Sequence, residues 1–140
     1  MSTLDILKLA KNAAPSLASA NTNQKNSALE AIASLLVERE SEVIAGNKLD
    51  LDAGEKNGLS KGLQDRLKLD SNRIAALAAA VREIISLPDP IGDSVSGMTL
   101  PNGLKLQQVR VPFGVIGVIY EARPNVTIDI AALAIKSGNA

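Results

Sequence analysis

Apolar residues recur at helical spacing through most of the chain before Pro88. Leu4, Leu7, Ala10, Ala14 and Leu17 share one face of a first helix, which Pro15 is expected to weaken. Asn21-Thr22-Asn23 is a break rich in capping residues. Residues 23–45 read as one longer helix. Ala28, Leu29, Ile32, Leu35, Leu36, Val43 and Ile44 lie mostly on its inner face, and Glu30, Glu38, Arg39, Glu40 and Glu42 on its outer face. The pattern loosens over 46–69. Residues 47–55 predict a short helix closed by Asn57-Gly58, and 60–67 predict another. Asp70-Ser71-Asn72 then caps a strongly periodic helix carrying Ile74, Leu77, Ala78, Val81, Ile84 and Ile85, which Pro88 and Pro90 end.

After Gly92 the period changes. Val95, Met98 and Leu100 precede Pro101-Asn102-Gly103, and Leu104, Leu106, Val109 and Val111 follow. Asn-Gly between two such runs signals a hairpin. Val115, Ile116, Val118, Ile119 and Tyr120 are a β-branched apolar run, which suits a strand of a parallel sheet buried on both faces. A polar turn, Glu121-Ala122-Arg123-Pro124-Asn125, comes next. Ile128, Ala131, Ala132 and Ile135 then return to helical spacing until Ser137-Gly138-Asn139. This strand–turn–helix unit sets the fold class as α/β, and its polar turn lies just past the carboxyl end of the strand, where ligands of open α/β sheets bind. Gly114 and Gly117 precede the end of the apolar run, so they are not the G-x-G-x-x-G loop of a dinucleotide fold. A parallel strand and its helix normally lead to a second parallel strand. The Val115 strand therefore needs the hairpin or another chain to cover its edges, and the 140 residues read as a piece of something larger or as a partner-dependent protomer.

Composition narrows the chemistry. The formal charge balances at zero, which argues against a nucleic-acid surface or an anionic membrane partner. No apolar run approaches the roughly 20 residues of a membrane helix, and no signal-peptide pattern opens the chain, so a cytoplasmic protein is expected. The absence of Cys and His excludes disulfides, thiolate or imidazole metal sites, a thiol nucleophile and a Ser-His-Asp triad. Carboxylates, Lys, Arg, Tyr, Asn and hydroxyls remain.

The charge run Glu38–Glu42 reads as a solvated helix face, and Lys48, Lys56, Lys61 and Lys68 as scattered surface charge. Asn125 opens a helix after a proline, where Asn is a favoured N-cap. Its amide could also donate to a developing oxyanion. Arg123 either holds a phosphate or carboxylate bidentately or pairs with Glu121 or Asp129. Asp129, assigned to the first helical turn, and Lys136 near the helix end read as dipole compensation. Nothing marks Glu121 as a base.

RVPFGVIGVIYEARPNVTIDIAALAIKSGNA closely resembles the corresponding stretch of the gamma-glutamyl phosphate reductases, within the aldehyde dehydrogenase superfamily. The Y-E-x-R-P-N-V-T core from Tyr120 to Thr127 carries the resemblance most specifically, and the hairpin and N-terminal helices fit it. The resemblance spans this chain and only the amino-terminal part of the enzyme. It implies an aldehyde-dehydrogenase-like fold: a helical part of the nucleotide-binding domain over 1–92, a bridging hairpin over 93–111 that pairs subunits into a homo-oligomer, and the first strand–turn–helix of a parallel nucleotide-binding sheet over 112–140. It implies NADPH-dependent reduction of gamma-glutamyl phosphate to glutamate-5-semialdehyde, on the route to proline, through a Cys that this chain does not contain. Asn125 matches the oxyanion-hole Asn, and Tyr120, Arg123 and Pro124 match the nicotinamide end of the cofactor groove; no metal is implied. The chain alone is then expected to be inactive. The alternative is a non-catalytic helical assembly module that keeps the hairpin and strand for pairing.

Overall fold

The computed structural model describes residues 2–140. In chain order it contains α1 (Thr3–Ser19), α2 (Thr22–Glu38), α3 (Glu40–Lys56), α4 (Lys61–Leu67), α5 (Ser71–Ser86), β1 (Ser94–Thr99), β2 (Lys105–Val109) and α6 (Pro124–Lys136).

The core lies where α2, α5 and α6 meet. Leu29 and Ala33 of α2, Ala78 and Val81 of α5 and Ala132 of α6 are buried together, with Leu36, Ile84, Ile85, Ile128 and Ile135 packed around them. Alanine at three of the five central positions lets the helix backbones approach closely, so a chain almost without aromatics can still fill its interior. The periodic stripe of α5 is realised as read. Ile74, Leu77, Ala78 and Val81 are buried, and the Asp70 carboxylate accepts a hydrogen bond from Arg73 N at 3.0 Å as the N-cap.

The expected helix over 23–45 is two helices. Arg39 leaves helical geometry at φ −106° and ψ 24°, and α3 restarts at Glu40. The residues at the joint are charged and solvent-facing, so no buried stripe forces α2 to run on. Val43 and Ile44 are only half-buried, and Ala28 and Leu35 of the expected inner face are exposed. The run Glu38–Glu42 is held partly by its own chain: Arg39 pairs with Glu42, and Glu40 accepts from the Ser71 hydroxyl at 2.5 Å. The loosening expected from Gly46 onward does not occur, because α3 continues through Gly46 and Gly54 to Lys56.

Asn47, buried on α3, ties this helix to the chain between α4 and α5. Its Nδ2 donates to Leu67 O at 2.8 Å and its Oδ1 accepts from Leu69 N at 2.7 Å, so it stands in for a backbone partner at the α4–α5 connection. Asn47→Ala removes both bonds at once. We expect it to lower unfolding free energy by about 1–3 kcal/mol, the scale for orphaned buried polar groups. A urea midpoint unchanged from wild type would contradict this.

Pro15 is accommodated inside α1. The expected inner face of α1 is only half realised: Ala14 is buried, whereas Leu4 and Leu7 are exposed. The hairpin forms as read. It is antiparallel, with Met98 opposite Leu106, an irregularity between Ser94 and Ser96, and Gly103 in the left-handed region at its tip. Every residue of both strands is exposed.

The expected buried strand at 115–120 does not form. The hairpin pairs only with itself, so this run has no ladder among the described residues, and Ile119 is fully exposed. One rung exists. Ala140 N donates to Gly114 O at 2.8 Å and Ile116 N donates to Ala140 O at 2.8 Å, the pattern of a parallel bridge around Val115. The parallel direction read from the apolar run is thus present at that position. α6 ends as expected, in a Schellman motif: Asn139 N donates to Ala134 O, Gly138 N donates to Ile135 O, and Gly138 takes φ +70°. No helix among the described residues is long and apolar enough to cross a membrane.

Candidate active-site groove

The corner between the apolar run and α6 is tightly determined. Ala122 adopts φ +49°, which a non-glycine residue seldom does without a surrounding constraint. Arg123 follows as the N-cap with φ −139° and no side-chain cap bond, and Pro124 is the first helical residue, where its missing N–H costs nothing. The N-cap reading of Asn125 is therefore corrected: Asn125 is the second helical residue. Proline's fixed φ starts the helix at Pro124, two residues earlier than a capping Asn125 would. Tyr120 donates to or accepts from the Thr127 hydroxyl, tying the end of the apolar run to the first turn of α6.

Arg123, Pro124 and Asn125 open onto a groove of about 490 Å³ whose far wall comes from the α4–α5 region. Tyr120 is not part of its lining. Asp129 is, in the second turn of α6 rather than the first, and Asn125 Nδ2 lies 3.4 Å from its Oδ2. That contact is long for a hydrogen bond, so the amide keeps donor capacity toward the groove. Of the two readings of Arg123, pairing with Glu121 or Asp129 is not realised: Arg123 makes no ion pair among the described residues.

The sequence reading missed the far wall. Arg66, Lys68 and Arg73 bring positive charge to the groove, and Asp65 negative charge. Lys68, read as surface charge, is one of its walls. Arg73 is engaged. Its guanidinium donates to the Asp65 carboxylate at 3.0 Å, to Lys68 O at 2.7 Å and to Asp65 O, closing the carbonyl end of α4. The packing of α6 against α5, with α4 leading directly into α5, assembles these charges, and periodicity does not report that. Lys136 also differs from its reading. It is buried, and its ammonium donates to Asn26 Oδ1 and Ile85 O, each at 2.9 Å, so it joins three helices besides sitting at the negative end of α6.

The observations define an α/β chain: a helical N-terminal portion and a hairpin leading into an extended run, a tight turn and α6, whose corner faces a cation-rich groove. No protein-family model matches it. Curated relatives do, and they are gamma-glutamyl phosphate reductases. The Clavibacter michiganensis protein is 58% identical over 135 residues, 96% of this chain and 31% of that protein. The Leifsonia xyli protein is 54% identical over 139 residues, 99% and 33% of the two chains. Among solved structures, the Thermotoga maritima gamma-glutamyl phosphate reductase superposes with a TM-score of 0.95 at 39% identity, covering 98% of this chain and 33% of that one. The Saccharomyces cerevisiae enzyme gives 0.91 at 33%, covering 100% and 36%. The chain spans about a third of the length of the relatives it matches.

Proposed function

We propose that this chain supplies the helical portion and the oxyanion corner of an NADP-dependent reductase that converts gamma-glutamyl phosphate to glutamate-5-semialdehyde for proline synthesis. The observation that carries the reading is the Tyr120–Thr127 corner opening on a cation-rich groove, in a chain up to 58% identical to such reductases. In the reaction the acyl C–O bond to phosphate breaks and a C–H bond forms. Phosphate leaves, NADPH is oxidised and the acyl carbon falls to the aldehyde level.

Each residue has a part. The Asn125 amide N–H donates to the acyl oxygen as it gains negative charge. Arg123 balances anionic charge at the same corner. The nucleophilic thiolate belongs to polypeptide other than these 140 residues, which contain no Cys. The ring of Tyr120 is half-exposed and Pro124 partly so. We assign both to the nicotinamide, which supplies hydride when bound: Pro124 from the groove lining and Tyr120 from the chain that leads into it. We assign the activity to the cytoplasm, where a catalytic thiolate stays reduced. The 93–111 hairpin is the element that joins subunits: it exposes Val95, Met98, Leu106 and Val109, and a lone two-stranded hairpin is marginally stable in water.

The test is a chimera in which residues 1–140 replace the corresponding third of the Clavibacter michiganensis reductase. We expect NADPH-dependent turnover from the chimera, a multimer by light scattering, and no turnover from the 140-residue chain alone. An inactive chimera that still self-associates would favour the assembly-module reading instead.

A further inference from the structure

Some charges around the groove are paired: Arg73 engages Asp65, and Lys68 lies 3.9 Å from Asp70. Asp129 keeps its charge, with only the neutral Asn125 amide facing it at 3.4 Å. Two guanidinium groups are left without an ion pair or hydrogen bond among the described residues. They are Arg66 on the α4 wall and Arg123 on the corner. Both side chains are exposed, so neither is held by packing.

Two free guanidiniums on opposite walls of one groove suit a small molecule with an anion at each end. A dinucleotide's phosphates suit it poorly, because they call for successive backbone N–H groups and glycines, whereas the corner presents a proline at the first helical position. Guanidinium recognises carboxylate and phosphate alike, in a bidentate geometry that an ammonium cannot copy. Position decides which anion goes where. Arg123 is two residues from Asn125, beside the reacting acyl carbon. Arg66 stands across the groove, remote from it.

We propose that the groove reads both ends of its substrate: Arg123 takes the acyl phosphate and Arg66 takes the α-carboxylate of the glutamyl chain. This rests on the reductase reading above and adds a specificity element to it from α4.

The reverse reaction separates the two contacts, because phosphate and the semialdehyde then enter as separate substrates. In the chimera, Arg66→Gln should raise KM for the semialdehyde about tenfold, the loss of roughly one charge-assisted hydrogen bond, and leave KM for phosphate within twofold. Arg123→Gln should do the opposite. Arg66→Lys should recover only part of the loss. Neither guanidinium bonds to another described residue, so folding should not confound the result. An active chimera whose variants leave both constants unchanged, or move both together, overturns the assignment of the two arginines alone. A chimera with no activity overturns the reductase reading, and this inference with it.

Discussion

Asn125→Ala in the chimera should lower kcat by about 10²–10³, the usual scale for one lost oxyanion donor. Stability should hardly change, and the reason is local. Asn125 is exposed, at the second position of α6, and among the described residues its side chain hydrogen-bonds only to Asp129, at a long 3.4 Å. The start of α6 is set by other groups: Pro124 fixes the first helical φ, and the Tyr120–Thr127 bond holds the preceding chain. An N-cap asparagine would behave differently, costing about 1 kcal/mol on removal. The variant therefore separates a chemical from a structural role, with kcat and the thermal midpoint as the two readouts. Asn125→Asp is the companion change. It keeps the shape but has no N–H to donate, so it should fall as far as alanine. A kcat loss under threefold for Asn125→Ala would remove this residue from the proposed machinery.

What the sequence disclosed follows the range of the forces involved. α5 was legible because capping by Asp70 and the stripe from Ile74 to Val81 are local, and a packed partner only reinforces them. The hairpin was legible because Asn102-Gly103 sets its own turn. The joint at Arg39 was not, because it lies within a charged run that would be equally soluble as unbroken helix. Asn47 reads in sequence as part of a short helix, and its bonds to Leu67 and Leu69, 20 and 22 residues on, leave no local signal. The run at 115–120 has the composition of a buried strand, but a ladder needs a second strand, and among the described residues Ala140 supplies a single rung. Half of the groove followed the same rule. Its near wall is contiguous in sequence from Arg123 to Asp129, and its far wall arrives from α4 and α5, more than forty residues earlier.

The other large expected effect concerns Asp89, which links the exit of α5 to the start of α2. Its carboxylate meets the Lys25 ammonium through both oxygens, at 2.7 and 2.6 Å, accepts from the Thr22 hydroxyl at 2.8 Å, and accepts from Ile91 N at 3.1 Å. The partners differ in access to water: the Lys25 side chain is 2% exposed and that of Asp89 14%. Asp89→Ala therefore strands a positive charge that cannot reach solvent. We expect it to cost about 3 kcal/mol at pH 7, the low end for breaking a buried pair, because the carboxylate edge is partly wet. Lys25→Met should cost less, since Asp89 keeps Thr22, Ile91 and some water. Acid makes the two cases converge. Partial burial pushes the Asp89 carboxyl up, but the Lys25 ammonium, the Ile91 amide and the Thr22 hydroxyl together pull it further down, so the folded value lies below the ordinary one. A depressed carboxylate stabilises fully above its unfolded pKa of about 3.9 and loses that contribution as pH falls through its folded value. Urea unfolding of wild type and Asp89→Ala at pH 7 and near pH 3 should show the gap between them narrowing in acid. A gap that stays constant would mean that Asp89 acts through packing, and that Lys25 is accommodated without its counter-charge.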